Sequence, residues 1–383
     1  MNARFVVPML AVGTLALSGC VSNDTAADSA IAVSSTADGC DVASATAPSG
    51  SIVFEVTNNG DDVTEFYLLA DDGLRIITEV ENIGPGLSRE LVAQIPAGEY
   101  ITACKPGMVG DGIQAAFTVT DSGAEVGPTG EIGEQLDAAA DQYLLYVRDQ
   151  VASLVTKTDA FVAAYLAGDD QAAADMYADT RVHWERIEPV AEAFGDLDPS
   201  MDLREADLAE GEEWTGWHHM EKDLFPPAEG YELNQDERQA LADQLVADTA
   251  ELNSRVNAED FQIDAFQIGN GAKELLDEVA AGKITGEEEA WSHTDLWDFQ
   301  ANLDGAYVAF GVLQPVVEQT DPDLAAELTS RFDAVQTLLA EQGSVETGFT
   351  YYDDLTEAQI QELARAVDAL GEPLSQLTAA AVL

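Results

Sequence analysis

Four histidines serve the 383 residues of this chain, and two of them stand side by side in TGWHHMEKDLFPP, Thr215 to Pro227, with Glu221 three places after His218. On a helix, residues three apart are neighbours on one face, so the imidazole of His218 and the carboxylate of Glu221 can reach one ion. Helix bundles build carboxylate-rich metal sites from this spacing. A solvent-exposed hydrogen-bonded pair would use the same spacing. The flanking Trp214, Trp217, Leu224 and Phe225 argue instead for a sheltered setting, where polar groups must find partners. His219 projects about 100° away from His218 and is expected at the surface.

The third histidine lies in TRVHWERIEPVAEAFGDLDP, Thr180 to Pro199. Trp184, Ile187, Val190, Ala191 and Phe194 form an apolar helical stripe with His183 and Glu188 on its flanks and Glu185 nearly opposite. Glu188 can therefore look inward, and Glu185 is expected to face away. The fourth, His293, precedes Asp295 by two in SHTDLWDFQANLDGA, Ser292 to Ala306. These two do not share a helical face, but near a helix start both can point at a neighbouring site. No histidine precedes residue 183, so a blue-copper centre of two imidazoles and a thiolate cannot be built in the N-terminal region. The ligand-type residues there are Cys40, Glu65, Glu79, Glu81, Cys104 and Met108. In an exported chain Cys40 and Cys104 are either a disulfide or metal ligands. Glu79 and Glu81 share one strand face and either converge on a cation or stay solvated.

These side chains must be positioned by two kinds of element. From Ser51 to about Thr120 short runs such as SIVFEVT, EFYLLA, LRIITEV, RELVAQI and IQAAFTVT alternate with Gly, Pro, Asn and Asp, the pattern of strands in a small sandwich or barrel. Asp121 to Gly133, with four glycines and one proline, reads as a linker. Beyond it Tyr143, Val147, Val151, Leu154, Thr158, Phe161 and Tyr165 step by three or four residues, one stripe of a long helix. Similar stripes cover roughly 169–194, 232–252, 259–280, 287–317, 322–341 and 356–377, which makes seven or eight antiparallel helices in one large bundle or two smaller ones. The fold class is therefore multidomain, β first and then all-α.

The 72 acidic against 16 basic residues give a formal charge of -56, which repels nucleic acid and anionic headgroups and gathers cations. Most of these acids need do no more than keep the protein hydrated. The first 20 residues read as an export signal: Arg4, then the apolar Phe5 to Leu17, then LSGC ending at Cys20. Small residues before a cysteine resemble a bacterial lipobox, so Cys20 is expected to carry lipid, and two acyl chains there would anchor the protein stably. The expected organisation is a signal over 1–20, a flexible tether over 21–37, a β domain over 38–122, a linker over 123–133 and a helical domain over 134–383.

HWERIEPVAEAFGDLDP, the GxHxxE pattern in GWHHME (Gly216 to Glu221), SHTDLWDFQANLDGA and ENIGPG (Glu81 to Gly86) together make the mature chain resemble the EfeO family of bacterial iron-uptake proteins. The resemblance implies a cupredoxin-like β-sandwich followed by an imelysin-like helical bundle. It implies that the protein is not an enzyme, and that iron is held by His218 and Glu221 with nearby carboxylates, for which Glu188 and Glu205 in DLREAD are the matching positions. It also implies a second site for copper or iron among Cys40, Glu65, Glu79, Glu81 and Cys104. Met108, four residues after Cys104, joins that set on ligand chemistry alone. The implied partners are a membrane iron permease and a haem peroxidase, and the implied place is the outer face of the cytoplasmic membrane. The histidine at 219 departs from the family pattern. Family members are also labelled peptidases, so a zinc-dependent peptidase is the alternative, and zinc would bind such a site in vitro. The HExxH string of zinc hydrolases is absent, as is a GxSxG elbow.

Overall fold

The computed structural model describes residues 30–383 except 109, 111, 124–125, 209–210, 212 and 228–230. The expected lipidation at Cys20, the signal and most of the tether lie outside the described residues. Nine strands form the N-terminal domain: β1 Ile31–Thr36, β2 Gly39–Val42, β3 Thr46–Pro48, β4 Gly50–Asn58, β5 Thr64–Leu69, β6 Ile76–Ile83, β7 Ser88–Ile95, β8 Gly98–Cys104 and β9 Ile113–Thr120. They make two sheets, ordered β2-β1-β4-β7 and β3-β9-β8-β5-β6. Alternate residues of β4, Ile52, Phe54 and Val56, point into the sandwich. There Phe54 meets Phe66 at 5.1 Å and Phe117 at 5.6 Å between ring centroids.

The strand β1 falls inside the segment read as a tether. IAVSST is only half apolar, but Val33 and Ser35 are fully buried, and the strand pairs in parallel with β4 from Ile31↔Phe54 to Ser35↔Asn58. The Ser35 hydroxyl is satisfied by Thr64 at 2.6 Å, which is how a polar strand can line a core. The linker is likewise shorter than expected, because the first helix starts at Gly130.

The helical domain runs α1 Gly130–Ala167, α2 Asp170–Glu185, α3 Glu188–Glu192, α4 Asp198–Met201, α5 Gly216–Leu224, α6 Gln235–Val256, α7 Ala265–Glu278, α8 Asp295–Thr320, α9 Pro322–Ala340, α10 Glu357–Leu374 and α11 Leu377–Val382. The stripe from Tyr143 to Tyr165 is the buried face of α1. Two expected helices begin later, at Ala265 and Asp295, and the stripe drawn from 169 to 194 breaks after Glu185. None of the described helices is long and apolar enough to cross a membrane.

The two domains share one continuous apolar core. The joint is made by α7 against β6 and β7: Gln267 Nε2 donates to the Ile77 carbonyl at 3.1 Å, and Asn270 Nδ2 donates to Thr78 Oγ1 at 2.8 Å and to the Val92 carbonyl at 3.0 Å. Side-chain amides bonded in this way satisfy the Ile77 and Val92 carbonyls, which the seam would otherwise bury unpaired.

Candidate metal centre

The short helix α5 begins where only glycine fits. Gly216 has φ +81°, and a Cβ there would come 2.1 Å from the Met201 carbonyl oxygen. This tight start packs α5 against α4 and buries its next turn, so that Trp217, His218, Met220 and Glu221 are all fully buried. His218 and Glu221 lie on one face as the spacing predicts, Nδ1 to Oε2 at 3.4 Å. The other oxygen of Glu221 accepts the backbone N–H groups of Trp291 at 2.9 Å and Ser292 at 2.7 Å.

Around this pair stand seven further buried carboxylates, Glu185, Glu188, Asp202, Glu288, Glu289, Asp295 and Asp298. Within them are two buried fixed cations, Arg181 and Lys283, both 0% exposed. Arg181 pairs with Glu185 and Asp202 and with Glu289 at 2.7 Å. Lys283 closes a wide π turn, Val279–Lys283, after α7. It reaches Glu185 at 3.1 Å, Glu188 at 3.4 Å and Glu288 at 3.8 Å.

Eight carboxylates against two fixed cations cannot all be ionised out of water, and the site divides them. Burial pushes Glu188, Glu289 and Asp298 well up, toward the neutral acid, with neighbouring carboxylates adding to the rise; it raises Asp295 to about 6. Burial acts the same way on Asp202, Glu221 and Glu288, but there it is outweighed by Arg181 and His218 at Asp202, by His218 and two backbone N–H groups at Glu221, and by Lys283 and His218 at Glu288. These three are held ionised. They surround His218, whose Nε2 lies 3.3 Å from Asp202 Oδ1 and 3.7 Å from Glu288 Oε1. Burial and Arg181 disfavour a charged imidazole, yet the three carboxylates overcome both and raise its pKa well above the ordinary value.

His218 Nε2 and both oxygens of Asp298 have no hydrogen-bond partner among the described residues. Three sets of potential ligand atoms lie within 4.8 Å of one another: Asp202, His218 and Glu288; His218, Glu221 and Glu289; and Glu185, Glu188 and Asp202. One imidazole among hard carboxylate oxygens suits iron or manganese, and also accepts zinc.

The other expected ligands fare differently. Glu188 and Asp295 belong to the cluster. His183 does not: its Nδ1 bonds Gln150 Oε1 at 2.8 Å, on the side of α1, and burial with Arg186 lowers its pKa to about 4. His293 sits at φ +57° and pairs with Asp353 at 3.3 Å near the surface. Glu205 is turned outward to Lys222. His219 stacks flat on Trp214 at 4.3 Å and stays out of the site, as its angle requires. Glu185, expected to face away, is fully buried against Arg181 because α2 is enclosed by α8 and the segment after α7 as well as by α1. The sequence reading passed over Asp202, Glu288, Glu289, Asp298, Arg181 and Lys283. The one available signal was Asp295 with Asp298, an i,i+3 acid pair set among Leu296, Trp297 and Phe299.

In the β domain Cys40 and Cys104 are joined in a disulfide, which removes both as thiolate ligands. Without thiolate or imidazole the remaining donors do not fit a copper centre of cupredoxin type. Glu65, Glu79 and Glu81 stand on the outer face of the second sheet, and Met108 lies half-exposed at its rim. Tyr67 donates to Glu65 at 2.6 Å. Burial raises Glu65, and it raises Glu79 well above the usual range, with Glu274 of α7 adding to the rise at Glu79. This face does not look into solvent. It closes a cavity of about 240 Å³ whose opposite wall carries Glu188, Asp202 and Glu288.

Two family models match the chain, a cupredoxin-like domain over residues 8–119 and imelysin over residues 139–377. A protein of Escherichia coli (strain K12) named iron uptake system component EfeO is 36% identical over 341 residues, covering 88% of each chain. One of the same name from Yersinia pestis is 37% identical over 88% of this chain and 87% of its own. A crystal structure of an iron-regulated protein A precursor from Parabacteroides distasonis superposes with TM-score 0.51 at 18% identity, over 68% of this chain and 97% of that one. At that identity it bears on the fold alone.

Proposed function

Because this chain belongs to the EfeO family, with an imelysin domain behind a cupredoxin-like one, we propose that it is the extracytoplasmic iron-binding component of an Efe-type uptake system. It captures iron and delivers it to a membrane permease, with a haem peroxidase as the system's further component. Cys20 carries the lipid that holds it at the membrane. One observation carries the iron reading above the others: a buried imidazole, His218, ringed by Asp202, Glu221 and Glu288, all three held ionised. In the metal-free protein a proton on His218 balances part of that charge. An iron cation takes its place, and the proton leaves to solvent as the ion binds. Arg181 and Lys283 fix the carboxylates before the ion arrives, so little rearrangement is needed.

Zinc hydrolases usually set two or three imidazoles on the ion with a base beside an open position. Here a single imidazole reaches the cluster, since His183, His219 and His293 are engaged elsewhere. That distribution favours holding a cargo ion over zinc-dependent peptide cleavage. The test is elemental analysis of the purified protein, then titration with iron in a metal buffer, then a peptidase assay on the loaded form. Iron bound without hydrolysis, and weakened about 10-fold or more in His218→Ala, is the expected result. Wild-type affinity in that variant would remove His218 from the site, and zinc-dependent cleavage would replace the reading with the hydrolase one. Retention of Cys20→Ala on membranes would remove the anchor.

A further inference from the structure

The cavity between the domains is walled on one side by the same groups that face His218. Asp202 and Glu288 line it, and His218, fully buried, aims an Nε2 without a hydrogen-bond partner at the corner those two carboxylates make. An ion held on that nitrogen therefore opens onto the interdomain cavity. Across the cavity stands the acidic face of the second sheet. At the seam Glu81 of β6 and Glu278 of α7 both line the cavity, one from each domain. A hard cation entering there meets a carboxyl group from each side.

The two cationic side chains that line the cavity are of a different kind from Arg181 and Lys283. Lys105, 30% exposed, lies 3.8 Å from Glu65, and Arg204, 29% exposed, lies 3.1 Å from Glu288. Both are long side chains that can swing to solvent, so they can balance the walls when no ion is present and give way when one enters. Ionised carboxylates in a low-dielectric wall, as Asp202 and Glu288 are, also concentrate the field along the cavity and speed the arrival of a cation.

We propose that this interdomain cavity is the passage by which a hard metal cation reaches and leaves the His218 corner, with Glu81 and Glu278 forming a transit site at the domain boundary. The identity of the cation as iron rests on the function proposed above. The β-sandwich is then a wall of the route, and its carboxylates set the rate of loading.

The test uses the full mature chain and ferrous iron alone under anaerobic conditions, followed by stopped-flow quenching of tryptophan fluorescence, Trp217 being the neighbour of His218. The near-isosteric Glu278→Gln and Glu81→Gln are expected to keep equilibrium affinity within about threefold, which also reports that they fold, while loading and release slow by about 10-fold or more. Wild-type rates in both variants would overturn the passage. So would a loss of equilibrium affinity that matches the loss of rate, since Glu278 and Glu81 would then be ligands of the resting ion. A wild-type chain that takes up no iron at all would overturn the cargo reading and the passage with it, whereas normal uptake at unaltered rates would overturn the passage alone.

Discussion

The two walls of the interdomain cavity are built from the same side chain, glutamate, and behave differently. On the helical wall Glu188, Asp202 and Glu288 stand against cations with no exposure, Arg181 and Lys283, and against the imidazole of His218. On the β wall Glu65 and Glu79 have a tyrosine hydroxyl and one partly exposed lysine for company. Fixed buried cations, with His218, hold Asp202 and Glu288 ionised and all three carboxyls in place. Glu65 and Glu79, lacking them, are pushed by burial toward the neutral acid. A wall of the first kind can retain an ion; one of the second kind can only receive it in passing.

The largest expected effect tests that contrast directly. Lys283→Met leaves Glu185, Glu188 and Glu288 short of a buried counter-charge and should destabilise the metal-free protein by about 3–5 kcal/mol, with part of the loss restored by saturating iron. Lys105→Met on the β wall, where the lysine is screened by solvent, should change stability by less than about 1 kcal/mol. Urea unfolding of both variants with and without metal decides the matter, and equal losses would erase the distinction between the walls.

Next in size is affinity. Glu288→Gln removes one of the three ionised groups around His218 and should weaken equilibrium iron binding about 10-fold to 100-fold, while Glu79→Gln should leave it within about threefold. Titration in a metal buffer measures both, and a Glu79 variant as weak as the Glu288 one would make the β wall part of the resting site.

The smallest effect lies at the seam. Burial, with Asp277 adding to it, raises Glu274 of α7 to about 8. Its folded-state pKa stands above the unfolded value, so its contribution to stability is complete below about pH 4.5 and is lost as pH rises through about 8. Glu274→Gln should therefore leave stability at pH 5 nearly unchanged and raise it at pH 8 by about 1 kcal/mol or more. Thermal unfolding at the two pH values reads this out; a variant less stable at pH 8 than the parent would mean that the carboxylate is ionised in the fold.

Much of the architecture was legible in the residues. Period-two runs bounded by Gly, Pro and Asn marked the β domain, the stripe from Tyr143 to Tyr165 marked α1, and the GxHxxE spacing placed His218 and Glu221 on one buried face. These are local signals, each carried within one element. The strand β1 escaped because IAVSST satisfies its buried serine across the sandwich, at Thr64, a partner that no local pattern reveals. The cysteines could be read either as a bridge or as ligands until β2 and β8 were seen to bring them together.

The membership of the metal cluster was decided by tertiary structure. Among 72 acidic residues nothing in the chain order separates Asp202 from Glu205, or Glu288 from Glu287, although one of each pair is buried beside His218 or Lys283 and its near neighbour is not. Periodicity identifies the inward face of a helix only when the other face meets water. The first turn of α8 is buried all round, Asp295 and Asp298 included, and α2 buries Glu185 on the side its own stripe would give to solvent. Which carboxylates share an ion depends on how α2, α5, α8 and the segment from 285 to 294 meet. That meeting is set by packing between residues roughly a hundred positions apart, such as Asn302 Nδ2 donating to the Glu185 carbonyl at 2.8 Å, and a single strand of sequence carries no term for it.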